Sequence, residues 1–189
     1  MKKIIPNILT SFRLLLVPLF FIVLVSDYKN SYLLSLLIFS IASITDFFDG
    51  KLARKYNAVS KFGLFMDPLA DKALTLSAFV GFLYLDSLVN IVEPWMIFVI
   101  FFRDILVTFL RLIMDRKGLV MVTSKIAKFK TASQLISIIL ILLFLSYNSI
   151  SPIDSYIIFI RFLMILVTLL TIYTGFDYYY KNIKLMLSK

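Results

Sequence analysis

Residues 45–72 read TDFFDGKLARKYNAVSKFGLFMDPLADK. Four aspartates, Asp46, Asp49, Asp67 and Asp71, fall within this tract, and the rest of the chain makes them expensive. Hydrophobic residues account for 61% of the 189 positions, and the mean hydropathy is +0.96. A soluble domain of this length could not hide so much apolar surface from water. Lipid is the solvent that fits. An ionised aspartate near the centre of a membrane helix costs about 2.5–3.5 kcal/mol on insertion scales. Four of them facing lipid are untenable, so the tract predicts helices that turn their carboxylates toward an interior or a polar cavity.

On either side of this tract the apolar runs predict an all-α integral membrane protein with six transmembrane helices. They cover about residues 8–26, 32–54, 62–85, 94–114, 126–147 and 153–180, mostly near the ~20 residues that span the hydrocarbon core. Met1 to Asn7 is expected to lie along the interface as a short N-terminal segment. Lys2 and Lys3 resemble the charged start of a signal peptide, but Pro6 and Arg13 interrupt the run and no small-residue cleavage pattern follows. A single domain over residues 1–189 is the simplest organisation.

Loop charges set the orientation. Lys51, Arg54, Lys55 and Lys61 surround the second connection. Arg116, Lys117, Lys125, Lys128 and Lys130 surround the fourth, and Lys181, Lys184 and Lys189 close the chain. The third connection carries Asp86 and Glu93, and the fifth only Asp154. This alternation predicts both termini in the cytoplasm and a multi-pass protein of the cell membrane. The formal charge of +9 then reads as cytoplasmic loops beside anionic headgroups rather than as a nucleic-acid surface.

The residue inventory excludes much chemistry. There is no cysteine and no histidine, so thiol nucleophiles, disulfides, Cys/His zinc sites and Ser-His-Asp triads are ruled out. A general base must be a carboxylate, lysine or tyrosine. A metal must be held by oxygen, which favours magnesium, manganese or calcium.

Helical spacing turns the aspartates into a site. At ~100° per residue, Asp46, Asp49, Gly50, Ala53 and Arg54 fall within roughly 140° of one helix face. Gly63, Asp67 and Asp71 repeat every four residues on the next helix. The short connection predicts antiparallel neighbours whose stripes face each other. Four clustered carboxylates need a counter-charge, and two divalent cations would supply it. Such pairs clamp the attacking and leaving oxygens of a phosphoryl displacement. Arg54 suits a phosphate. Gly50 and Ala53 keep the face shallow enough for a bulky ligand, and a carboxylate such as Asp71 could take a hydroxyl proton.

The spacing Asp46-x-x-Asp49-Gly50-x-x-Ala53-Arg54, eight residues, then Gly63-x-x-x-Asp67-x-x-x-Asp71, resembles the signature of the CDP-alcohol phosphotransferase family at every defined position. The resemblance implies transfer of a phosphatidyl or phospho-alcohol group from a CDP-linked donor to an alcohol, with release of CMP. It implies two Mg2+ or Mn2+ ions held by Asp46, Asp49, Asp67 and Asp71, with Asp71 also the proton acceptor. It implies a cytoplasm-facing donor site drawn from Asp49, Gly50, Ala53, Arg54, Ser60 and Gly63, and a homodimer. Asn7 and Thr10 either touch the nucleotide or cap the first helix.

One branch is more similar still. Pro6-Asn7-Ile8-Leu9-Thr10 with Phe12-Arg13, Phe102-Arg103-Asp104 with Arg111, and Lys128-Phe129-Lys130-Thr131 with Gln134 resemble the phosphatidylglycerophosphate synthases. That branch joins CDP-diacylglycerol to sn-glycerol 3-phosphate. A dianionic acceptor phosphate needs cations. Arg103 and Arg111, about 80° apart on one helix, together with Lys128 and Lys130, are the candidates. Ala127 departs from the glycine frequent before that lysine tract. Cardiolipin, phosphatidylinositol phosphate or phosphatidylserine synthesis are alternatives within the family. A divalent-cation transporter is the alternative of another class, though no pair of broken helices repeats in two halves.

Overall fold

The computed structural model describes residues 5–55, 61–119, 125–148 and 156–187. Among them are six α-helices and no strand: α1 (Ile5–Leu24), α2 (Ser31–Lys55), α3 (Lys61–Phe82), α4 (Pro94–Arg116), α5 (Lys125–Asn148) and α6 (Tyr156–Leu187). A 3-10 turn, Asp86–Leu88, lies between α3 and α4. Each expected segment corresponds to one helix. The largest differences are at the two ends. α1 already includes Ile5, so residues 5–7 belong to the first helix rather than to a separate interfacial segment, and Met1–Ile4 lie outside the described residues. α6 runs further than expected, to Leu187.

Local chemistry explains several boundaries. The Asn30 carbonyl accepts from the Leu34 amide at 3.0 Å, which places Asn30 at the cap of α2. Pro94 opens α4, where its missing N–H is no loss and its fixed φ suits a helix. Gly118, with φ of 66°, closes that helix. The Leu119 amide reaches back to the Met114 carbonyl at 2.9 Å, the long bond of a Schellman motif. On α1, Asn7 and Thr10 both sit inside the helix, and Thr10 is buried. Neither is a cap, which corrects that alternative.

Two helical stretches, Phe129–Tyr147 and Tyr156–Asn182, are long and apolar enough to cross a membrane. Large side chains lie exposed along all six helices, including Leu15, Leu37, Leu69, Phe98, Ile136 and Ile158. Hydroxyls inside the helices bond to their own helix. Thr168 donates to the Met164 carbonyl at 2.8 Å and Thr171 to Val167 at 2.7 Å. This is how polar side chains are satisfied where water is scarce.

The chain divides into two compact units, Met1–Leu88 with Ile138–Tyr156, and Val89–Ser137 with Ile157–Lys189. In the first, α1 is the shared partner: it packs against both α2 and α3, and those two touch each other far less among the described residues. Arg13 meets Asp46, and Phe20 meets Phe39 with ring centroids 5.5 Å apart. Seven residues forward on α1 match seven back on α2, so the two are antiparallel. α1 and α3 run parallel, with Leu24 and Phe21 closing on Gly81. A Cβ on Gly81 would lie 2.5 Å from Leu24 Cδ2, so this glycine permits the close approach.

Candidate functional site

The aspartate tract is helical where its spacing requires it. Asp46, Asp49, Gly50, Ala53 and Arg54 lie on α2, and Gly63, Asp67 and Asp71 on α3. The side chains of Asp49, Arg54, Asp67 and Asp71, and of Asn7 and Lys128, lie outside the described residues, as does Ser60 entirely. Among the described residues, no three carboxylates gather into a metal-binding group. Of the four expected ligands, only the side chain of Asp46 is described.

Asp46 has a partner that the sequence reading did not assign. Arg13 of α1 forms an ion pair with the Asp46 carboxylate through Nη1 and Oδ1. Arg13 is fully buried, whereas the Asp46 side chain is 41% exposed. A buried guanidinium demands a counter-charge, so Arg13 ties this carboxylate to the α1–α2 seam. A carboxylate has about four lone-pair sites, so a guanidinium on one oxygen is compatible with ligation of a cation. The clue was available: an arginine inside an apolar run calls for a named partner, yet Arg13 reads in the sequence only as an interruption of that run and as part of a motif resemblance.

The second unit holds a different cluster. Asp104 Oδ1 accepts from Arg103 Nη1 at 3.0 Å and from Lys130 Nζ at 2.7 Å. Lys130 is buried and Arg103 nearly so. The Arg103 guanidinium lies over the Tyr178 ring, 5.3 Å from its centroid, a cation–π distance. Arg103 Nε and Nη2 are buried with no hydrogen-bond partner among the described residues. So is Nε2 of Gln134, a buried side chain one turn beyond Lys130 on α5. Two of the four expected acceptor cations, Arg103 and Lys130, are thus brought together. Arg111 is exposed and forms no ion pair among the described residues. Arg161, whose role the sequence left open, faces Glu93 at 3.8 Å in an exposed pair.

An apolar cavity of about 540 Å3 lies between α4 and α6, lined by Phe98, Phe102, Leu106, Phe109, Phe176 and others, with Arg103 on its wall. Its lining is almost entirely carbon, so it suits hydrocarbon rather than a charged headgroup.

A carboxylate-bearing pair of helices and a separate cationic cluster suit a reaction between two phosphate-containing molecules. A model of the CDP-alcohol phosphatidyltransferase family matches residues 3–176. The chain belongs to this family. The match takes in the aspartate helices, the Arg103 cluster and most of α6. A CDP-diacylglycerol–glycerol-3-phosphate 3-phosphatidyltransferase of Bacillus subtilis is 35% identical over 145 residues, covering 70% of this chain and 73% of that protein. Similarly named proteins of Cereibacter sphaeroides and Wigglesworthia glossinidia brevipalpis are each 38% identical over 140 residues. The matched stretch spans 61% of the Cereibacter protein and 76% of the Wigglesworthia one. Family membership accounts for the aspartate spacing, which no requirement of helix packing would impose.

Proposed function

We propose that this protein transfers the phosphatidyl group from CDP-diacylglycerol to sn-glycerol 3-phosphate, yielding phosphatidylglycerophosphate and CMP. The observation that carries the reading is the complete aspartate, glycine and arginine spacing set on two consecutive helices. The names of the similar proteins and the anion-seeking cluster around Arg103 support the choice of acceptor.

The donor set is all carboxylate, which suits Mg2+ or Mn2+. Asp46, Asp49, Asp67 and Asp71 would hold two such ions. When bound, they would offset the carboxylate charge and stabilise the charge that develops on the transferring phosphoryl group. The chain's own residues do the rest. Arg54 binds the donor's pyrophosphate, and Gly50, Ala53 and Gly63 leave room for the nucleotide, with Ser60, Asn7 and Thr10 at its margin. Asp71 accepts the proton of the acceptor hydroxyl. That oxygen attacks the β-phosphorus in line, the bond to the CMP oxygen breaks, and CMP departs. Arg103 and Lys130, joined by Arg111 and Lys128, recognise the acceptor phosphate.

The reaction joins a lipid to a water-soluble acceptor, so the chain works at a membrane surface. Six crossings with both termini and the active site on the cytoplasmic side fit the loop charges. One catalytic domain over residues 1–189 fits the family match, which runs through both units. A homodimer follows from the family resemblance.

The test is release of CMP by the purified protein, given CDP-diacylglycerol, Mg2+ and one acceptor at a time. Glycerol 3-phosphate should support turnover. No CMP with any acceptor would overturn the reading as an enzyme. Turnover only with inositol phosphate, serine or phosphatidylglycerol would reassign the acceptor.

A further inference from the structure

We infer that Asp104 is a positioning residue for the acceptor: it clamps Arg103 and Lys130 so that the Nε–Nη2 edge of Arg103 is presented to the acceptor phosphate. The inference rests on the reading of Arg103 as an acceptor contact and adds to it the residue that orients that contact.

The contact between Arg103 and Asp104 is not automatic. Adjacent residues on a helix point about 100° apart and do not face each other. Here three helices hold the arrangement. Lys130 on α5 draws the Asp104 carboxylate toward itself, because a buried ammonium needs a counter-charge. Gly175 on α6 makes room for the arginine stem; a Cβ there would lie 3.0 Å from Arg103 Cγ. Tyr178, one turn further on α6, lies against the guanidinium. With Nη1 committed to Asp104, the edge left over is Nε with Nη2. Those two N–H groups point the same way and match two oxygens of one phosphate. Among the described residues, two cations and one carboxylate also leave the cluster a net positive charge, which an anion requires.

The sign of one substitution separates positioning from plain charge. Asp104→Asn removes a negative charge beside an anion site, so on charge alone the acceptor would bind more tightly. If Asp104 positions the two cations, the acceptor binds more weakly instead. We expect the KM for glycerol 3-phosphate to rise on the order of tenfold, the size of one charge-assisted hydrogen bond. The KM for CDP-diacylglycerol should hold, and Asp104→Glu should recover part of the loss. An acceptor KM that is unchanged or lower in Asp104→Asn overturns the inference. So does an equal loss for both substrates, or a Glu variant no better than Asn.

If Asp104→Asn does not yield folded protein, Gly175→Ala decides. It presses on the arginine stem without altering charge, and it must also raise the acceptor KM; an unaltered value overturns the inference. Arg103→Gln tests the underlying reading separately. If its acceptor KM stays at the wild-type value, Arg103 is not an acceptor contact and both ideas fall. If that KM rises while Asp104→Asn leaves it unmoved, only the positioning role fails.

Discussion

The two units handle buried arginines in opposite ways. In the first, Arg13 is fully buried and bound to Asp46, a carboxylate from a neighbouring helix. Cation and anion are matched one to one among the described residues. In the second, Arg103 and Lys130 share one oxygen of Asp104, and an edge of the arginine has no partner among the described residues. Here the excess is positive and calls for an anion. The same pairing of arginine with aspartate therefore closes the described charge count in one place and leaves it positive in the other. What distinguishes them among the described residues is the local count of charges: one carboxylate to one guanidinium in the first, one carboxylate to two cations in the second.

That contrast can be broken most sharply by kinetics. Asp71→Asn should lower kcat by about 10²–10⁴-fold, the usual worth of a general base. It should leave the binding of CDP-diacylglycerol measurable by equilibrium titration. Retained turnover would remove Asp71 from the role of base. Arg103→Gln should do the reverse, raising the acceptor KM with little change in donor KM. If both variants moved the same parameter, the division of labour between the two units would fail.

Stability sharpens the comparison next. In the Arg13–Asp46 pair the arginine is the more deeply buried member. Asp46→Ala leaves that buried cation uncompensated, whereas Arg13→Met leaves behind a carboxylate that still reaches solvent. Asp46→Ala should therefore lower the thermal midpoint in detergent more than Arg13→Met does. The larger loss should be about 2–4 kcal/mol, since removing one partner of a buried pair strands the other. Equal losses, or the reverse order, would mean that the seam does not depend on neutralising Arg13.

The smallest expected effect concerns the backbone. Gly118→Ala forces a side chain onto a residue with φ of 66° and should cost about 1 kcal/mol of stability with no change in either KM. A shift in acceptor KM would show that the end of α4 is coupled to the Arg103 cluster.

Much of the fold was legible in the chain. Apolar runs of the right length placed six helices close to where they lie, apart from the end of α6, which runs on to Leu187. The aspartate spacing was legible because a helix converts sequence intervals into angles. Arg13 was missed because a lone arginine in an apolar run does not announce which helix supplies its anion. Asp104 was visible only as a neighbour of Arg103. Its shared bond to Lys130 depends on α5 lying against α4. Gln134 was visible in a resemblance, but only the structure shows that it is buried with its amide nitrogen lacking a partner among the described residues.

Residue types and intervals along the chain were enough to determine an apolar all-helical protein and the placement of the four aspartates on α2 and α3. These are local properties, because composition and helical period act within one segment. Only the tertiary structure decided that α1 rather than α3 is the main partner of α2 among the described residues, that Arg13 is matched to Asp46, and that one oxygen of Asp104 binds two cations. Those pairings depend on the register at which separate helices pack. Interdigitating side chains set that register, and no single segment encodes it.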